Sequence, residues 1–291
     1  MDLRALGMGL AFAVMWSSAF TSARIIVAAA PPLTALGLRF LISGLLGIAI
    51  ALMLGQSWRL TRAQWRATII FGICQNALYL GLNFVAMQTI EAGLAAIIAS
   101  TMPLLVGFFA WAFMGERLGS VGMAGLAAGL LGVLLIMGAR LQGGMDLYGV
   151  ALCVIAVFAL AFATLSVRGA ASGGNFLMVV GLQMMVGALI VAPLGVVTEP
   201  LVVAWSWQLI AAFAYTTLVP GLAATLVWFL LVERIGATRG ATFHFLNPFF
   251  GVAIAAALLG EALRLWDVIG VVVIMAGILA VQLSRQRQRR L

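Results

Sequence analysis

Ten apolar runs, each about 20 residues long and parted by short Gly-, Pro- or Arg-bearing breaks, leave this chain few ways to fold. They read Ala5–Ala28, Leu33–Leu54, Ala67–Gln88, Gly93–Met114 and Ser120–Gly138, then Leu147–Val167, Asn175–Val197, Trp207–Val232, Ala237–Leu259 and Leu265–Leu283. A helix needs about 20 apolar residues to cross the hydrocarbon core of a bilayer, so each run is long enough for one crossing. Of the 291 residues 65% are hydrophobic and only 8% charged, which a water-soluble domain of ordinary composition does not tolerate. The expected fold is therefore all-α and integral to the membrane, with ten transmembrane helices and little chain left for a soluble domain.

The first run is longer than a signal-peptide core and lacks a small-residue cleavage site, so it reads as a retained helix. Cys74 and Cys153 lie in different apolar runs with no neighbouring thiol, a pattern of small apolar packing rather than metal or redox chemistry. All 16 basic residues are arginine, and the net charge of +8 could suggest a nucleic-acid partner. Their distribution gives another answer. Arg4, Arg59, Arg62, Arg66, Arg117, Arg168, Arg234, Arg239, Arg285, Arg287, Arg289 and Arg290 fall on one side if crossings alternate, against Arg24, Arg140 and Arg264 on the other. Loops that keep arginine stay in the cytoplasm, which places both termini there and needs no nucleic acid. Trp58, Trp65, Trp205, Trp207 and Trp266 lie near the ends of runs, where indole rings suit the headgroup region.

The chain also repeats itself. Ala92, Pro103, Gly115-Glu116, Leu118, Gly125 and Gly132 recur at a constant offset of 145 residues as Ala237, Pro248, Gly260-Glu261, Leu263, Gly270 and Gly277. Arg24 and Gly37-Leu38 recur at an offset of 144 as Arg168 and Gly181-Leu182. Residues 1–143 and 144–291 thus form two copies of a five-helix unit within one integrated membrane domain. An odd number of crossings per copy inverts the second relative to the first. Inverted repeats are a common architecture of secondary transporters, which place a site between the copies and rock them to alternate access.

The run Trp16-Ser17-Ser18-Ala19-Phe20, the two repeat-related prolines and the Gly-Glu-x-Leu sequences after the fourth and ninth runs resemble the drug/metabolite transporter superfamily, in its ten-helix EamA-type branch. The resemblance covers nearly the whole chain. Within that branch the chain is similar to the YddG-type exporters of aromatic and other hydrophobic amino acids. The resemblance implies a multi-pass protein of the bacterial inner membrane that moves a small organic metabolite, with the fifth and tenth helices outside the cavity.

Polar groups in hydrocarbon are costly unless they pair or face water, so they point to candidate cavity positions. Asn76, Tyr79 and Asn83 share one face of the third helix at spacing i, i+3, i+7, and either line a pore or bond to neighbouring helices. His244 stands one turn before Asn247 and Pro248; it is either a neutral imidazole held by a neighbour, a cavity wall or a proton relay. Trp16 and Trp228 lie well inside their runs and, with Tyr79, offer aromatic surface or core; Ser17 and Thr101 complete the polar candidates. Arg39 is the most deeply placed charge and either snorkels outward or attracts an anion such as a substrate carboxylate; its counterpart in the second copy is Gln183. Pro103, Pro220 and Pro248 each remove a backbone donor inside a run, freeing a carbonyl for a ligand or setting a kink that gates.

Glu116 and Glu261 follow helix ends, where capping or reach into a neighbouring helix is expected. The Gly125/Gly129 pair allows close approach of helices, within the chain or in a weak homo-oligomer as against a monomer. No Asp or Glu occupies the middle third of any run, which removes the usual carrier for proton coupling. An enzyme would need a nucleophile with its base, a metal cluster or paired carboxylates at depth, and none is legible, so neither catalysis, a metal nor a cofactor is expected. The reading is a transporter or facilitator of small metabolites, amino acids first, working by alternating access and in the export direction. A passive channel and an intramembrane lipid-modifying enzyme are the rivals.

Overall fold

The computed structural model describes residues 3–115, 119–141, 144, 146–166, 174–235 and 240–288. Ten helical spans in it are long and apolar enough to cross a membrane. The first two are single helices, α1 (Leu3–Ala29) and α2 (Pro32–Met53). The third is built from α3 (Arg62–Phe71), a π-helical stretch (Gly72–Leu80) and α4 (Gly81–Ala86), and the fourth from α5 (Ala92–Ala99) and α6 (Met102–Met114). The helices α7 (Ser120–Leu141), α8 (Leu147–Ser166) and α9 (Phe176–Thr198) are continuous. The eighth span joins α10 (Trp207–Leu218) to α11 (Ala224–Ile235) through a second π turn (Val219–Ala223). A 3₁₀ turn (Ala241–Leu246) runs into α12 (Asn247–Leu259), and α13 (Leu265–Gln288) is the tenth span.

These spans lie where the apolar runs placed them, with one informative difference. The third begins at Arg62 instead of Ala67 because Thr61 and Gln64 form a capping box: Gln64 N–H donates to Thr61 Oγ1 at 3.3 Å and Thr61 N–H to Gln64 Oε1 at 2.9 Å. Polar residues open this helix, so an apolarity count starts it late. Four members of the sequence repeat, Glu116, Leu118, Arg168 and Ala237, lie outside the described residues.

The prolines also sit differently from a simple kink. Pro103 and Pro248 each occupy the first turn of a new helical segment, where a missing N–H costs nothing because that donor has no intrahelical acceptor. The chain before each break closes tightly: Thr101 N–H donates to Ile98 O at 3.1 Å, and Asn247 N–H donates to His244 O. The hydroxyls of Ser100 and Thr101 add bonds to Ala96 O at 2.6 Å and, a second one, to Ile98 O at 2.7 Å, so α5 ends inside hydrocarbon with these acceptors bonded. Gly115 and Gly260, the repeat-related residues that end α6 and α12, both take left-handed φ values of 67° and 69°, a conformation that side-chain-bearing residues seldom adopt.

The chain divides into two compact units. One holds Met1–Thr21, Ile90–Val150 and Val227–Leu291. Within it α7 lies against α13 with glycine facing glycine: a Cβ added at Gly125 would meet Gly277 O at 2.8 Å, and one added at Gly132 would meet Gly270 O at 2.8 Å. Contact this close lets two backbones pack with no side chain between them. The far face of α7 carries exposed Leu130, Leu131 and Leu134, as lipid solvation asks.

The same unit is tied by Glu261, whose two carboxylate oxygens accept from Ala92 N–H at 2.6 Å and Gly93 N–H at 2.8 Å. These are orphan donors at the start of α5, and a carboxylate there meets the positive end of the helix dipole. Capping or reach into a neighbouring helix was the expected purpose of this glutamate, and here it caps a helix other than its own. Glu261→Ala should therefore cost roughly 2–4 kcal/mol, the penalty for stranding two donors away from water. Glu261→Gln, which keeps one acceptor oxygen, should cost less. Unfolding in mixed micelles measures both, and equal midpoints for wild type and E261A would remove the cap from the account.

The second unit holds Ser22–Thr89 and Ala151–Leu226. Here α2 lies against α9, again through glycines: a Cβ at Gly44 would meet Gly181 O at 3.1 Å, and one at Gly181 would meet Gly44 O at 3.0 Å. Glu199, at the end of α9, caps the start of α2 by accepting from Leu33 N–H at 2.7 Å and from Thr34 N–H and Oγ1 at 2.9 Å. Arg24 donates to Met87 O, which fixes the end of α1 to the residues after α4.

Candidate functional site

The candidate residues divide between the two units. In the first, α1 carries Phe12, Trp16 and Ser17, α11 carries Trp228, and the 3₁₀ turn with the start of α12 carries His244, Asn247 and Pro248. The imidazole of His244 is ringed by aromatics, with centroid distances of 5.2 Å to Phe12, 6.4 Å to Trp16 and 5.2 Å to Trp228. All three contacts are edge-on, the arrangement that brings positive ring edges to negative ring faces. Phe12 also meets Trp228 at 4.8 Å and Trp16 at 5.6 Å, so the cluster is continuous. Phe12 is fully buried, whereas Trp16, Trp228 and His244 each keep part of their surface open.

The polar members of this cluster bond to one another. Ser17 Oγ donates to Asn247 O at 3.3 Å, and Asn247 Nδ2 lies 3.0 Å from His244 Nδ1. Asn247 Oδ1 is buried and has no partner among the described residues, a condition shared by Thr21 Oγ1 one turn along α1 from Ser17. Buried oxygens without a donor are rare enough that each calls for a reason. Thr101 belongs to this unit too, but its hydroxyl is engaged at the break between α5 and α6.

In the second unit the break at Pro220 governs the geometry. Proline has no N–H, so the carbonyl of Thr216 loses its i+4 donor, and the π turn that follows displaces the ladder further. Two side chains of α2, one turn apart, take up the released acceptors: Arg39 Nε–H donates to Thr216 O at 3.2 Å and Ser43 Oγ–H to Thr217 O at 3.2 Å. Gly221 leaves room for them, since a Cβ there would lie 3.3 Å from Ser43 Oγ and 3.6 Å from an Arg39 terminal nitrogen. The carbonyl freed by Pro220 is thus held by Arg39.

Arg39 is only 5% exposed, and its guanidinium carbon lies 5.5 Å from the Phe40 ring centroid. Among the described residues its only hydrogen bond is the one from Nε, and no carboxylate faces it. With Nε engaged, four N–H donors on the terminal nitrogens stay unbonded among the described residues, a planar set that matches the two oxygens of a carboxylate.

Asn76, Tyr79 and Asn83 are all buried in the second unit, with the first two in the π stretch. Asn76 Nδ2 donates to Gln183 O on α9 at 2.8 Å, and Asn83 Nδ2 donates to Tyr79 O at 2.7 Å. Cys153 of α8 donates to Asn83 Oδ1 at 3.3 Å. The amides are therefore engaged in helix-to-helix bonds in this state. Among the described residues no group of three His, Cys, Asp or Glu side chains is placed to hold a metal ion.

Two segments, residues 3–138 and 147–283, match the EamA-like transporter family. The chain is 28% identical over 277 residues to the uncharacterized transporter YvbV of Bacillus subtilis (strain 168), covering 95% of this chain and 90% of that protein. It is 29% identical over 272 residues to the uncharacterized inner membrane transporter YedA of Escherichia coli (strain K12), covering 89% and 85%. Over a shorter stretch of 115 residues, 40% of each chain, it is 33% identical to the aromatic amino acid exporter YddG of Ancylobacter novellus. A protein crystal structure superposes with a TM-score of 0.71 at 22% identity over 97% of this chain and 98% of the other, which speaks for the fold.

Proposed function

Because the chain belongs to the EamA-like transporter family, we propose that it moves small organic metabolites, amino acids with aromatic or hydrophobic side chains first, across the bacterial inner membrane in which its ten spans lie. Arg39 carries this reading. A guanidinium buried at membrane depth without a carboxylate among the described residues is costly unless it receives an anion, and every α-amino acid brings one. Independently of Arg39, the first unit presents aromatic surface at Trp16, Phe12 and Trp228, of the kind that takes apolar side chains. Partial similarity to an aromatic amino acid exporter supports the same substrate class and the export direction.

The mechanism in this reading is alternating access between two inverted five-helix copies, with both termini cytoplasmic. Its support is the sequence repeat, together with the pairing of repeat-equivalent spans: the second with the seventh in one unit, the fifth with the tenth in the other. Breaks at Pro103, Pro220 and Pro248 supply the points at which spans can bend. The chain's own residues supply no carboxylate at mid-span, so facilitated exchange needs no proton carrier.

The test is uptake of labelled aromatic and aliphatic amino acids into liposomes holding the purified protein, with and without a proton gradient. Saturable uptake that ignores the gradient is expected. Linear, non-saturating flux would make the protein a channel, and no flux of any amino acid would remove the substrate assignment.

A further inference from the structure

The unsatisfied oxygen of Asn247 asks what should occupy it. Asn247 is 8% exposed, and its Oδ1 has no donor among the described residues. Its other amide atom is engaged, since Nδ2 lies 3.0 Å from His244 Nδ1. Its backbone is fixed as well: Asn247 O accepts from Ser17 Oγ, and Pro248 locks the start of α12 behind it. The oxygen therefore cannot swing to find a partner without breaking a bond already made. The two ends of one carboxamide are joined at a single carbon, so this acceptor lies close to His244, whose ring packs against Phe12, Trp16 and Trp228.

We infer that Asn247 Oδ1 is the acceptor of a binding subsite for an uncharged aromatic ring bearing an N–H or O–H group, walled by Phe12, Trp16 and Trp228. The class follows from what the site offers. Three aromatic rings favour a flat apolar body. One buried amide oxygen demands a hydrogen-bond donor, and a molecule lacking one leaves that oxygen stranded. Trp16, Trp228 and His244 remain partly open, which leaves an approach to the site. This subsite deepens the transport reading and rests on it for its physiological ligand, but the chemistry is testable without transport.

The probes are indole and 1-methylindole, which differ in the single N–H. Equilibrium dialysis against the protein in lipid nanodiscs, with empty nanodiscs subtracted, measures both. Wild type should bind indole roughly tenfold more tightly, the discrimination that a buried acceptor gives between a donor and its methylated analogue. Asn247→Leu should erase the preference by weakening indole alone, with the melting curve reporting whether the variant is folded. Trp228→Leu, which removes wall surface only, should weaken both probes alike. Equal binding of the two indoles to wild type, or a preference that survives N247L, overturns the subsite whatever the fate of the variants. If the preference holds while no amino acid is transported, the amino-acid reading fails and the subsite stands; transport with equal indole binding has the opposite meaning.

Discussion

Arg39→Met is expected to reduce amino-acid uptake by at least about tenfold while leaving the protein folded in the membrane. Two opposing effects bear on the fold. Losing the bond from Nε to Thr216 O strands a carbonyl already released by Pro220, at a cost of about 1–3 kcal/mol. Removing a buried guanidinium that faces no carboxylate relieves a desolvation penalty of several kcal/mol, and methionine fills much of the same space. The second effect is the larger or equal, so the melting temperature should hold or rise. Function has no such offset, because Arg39 is the only charged residue of α2. A comparison of amino acids with the corresponding amines separates the roles further: wild type should prefer the amino acid, and R39M should lose that preference. Arg39→Lys should fall between the two, since an ammonium keeps the charge and loses the planar fork. A variant that melts early yet transports normally per folded molecule would make Arg39 a strut between α2 and α10 and nothing more.

That experiment turns on a feature the sequence announced only in part. Apolar runs marked all ten spans because crossing a bilayer leaves a length signature, and the depth of Arg39 followed from its position in the second run. The partner of Arg39 did not follow. A proline at 220 says that some carbonyl loses its donor, but which side chain comes to that carbonyl depends on how α2 lies against α10, a contact across 177 positions of chain. The amide stripe shows the same limit. Its three residues stay together as helical spacing implied, yet the π turns that wind through Asn76 and Tyr79 leave no composition signal, and the acceptor for Asn76 is a backbone carbonyl that has no letter in the sequence.

Other contacts leave fainter traces in the sequence, for different reasons. Phe12 reads as one more apolar residue in an apolar helix, although it touches Trp16, Trp228 and His244. Glu199 follows the seventh run as an ordinary loop acid, although its carboxylate closes the start of α2. The capping box at Thr61 and Gln64 was there to be read, and would have moved the third helix to its observed start. Hydrophobic length is a property of a segment and survives in one dimension. Caps made across the fold are properties of pairs, and only the repeat, by copying Gly-Glu at a fixed offset, hinted at one of them.

Gly277→Leu should have the largest effect on stability of any single change on α13, roughly 3 kcal/mol or more, and should strip folded protein from the membrane. Any Cβ at this position would stand 2.6 Å from Gly125 O, 2.7 Å from Gly129 N and 2.8 Å from Gly129 Cα. Those neighbours are backbone, so no rotamer change can yield space, and α7 and α13 must separate along the seam that Gly125 and Gly129 form with Gly277. Separation forfeits the dispersion contacts of the whole seam, and in lipid there is no hydrophobic effect between helices to replace them. Gly138→Leu is the matched control. It lies on α7 near the end of the span, where an added Cβ meets nothing within 4 Å, and leucine there joins a lipid-facing surface that already includes Leu134. Size-exclusion profiles and melting curves of the two variants should diverge sharply. If they coincide, glycine on these helices serves composition rather than contact, and the closeness of α7 and α13 contributes nothing to the fold.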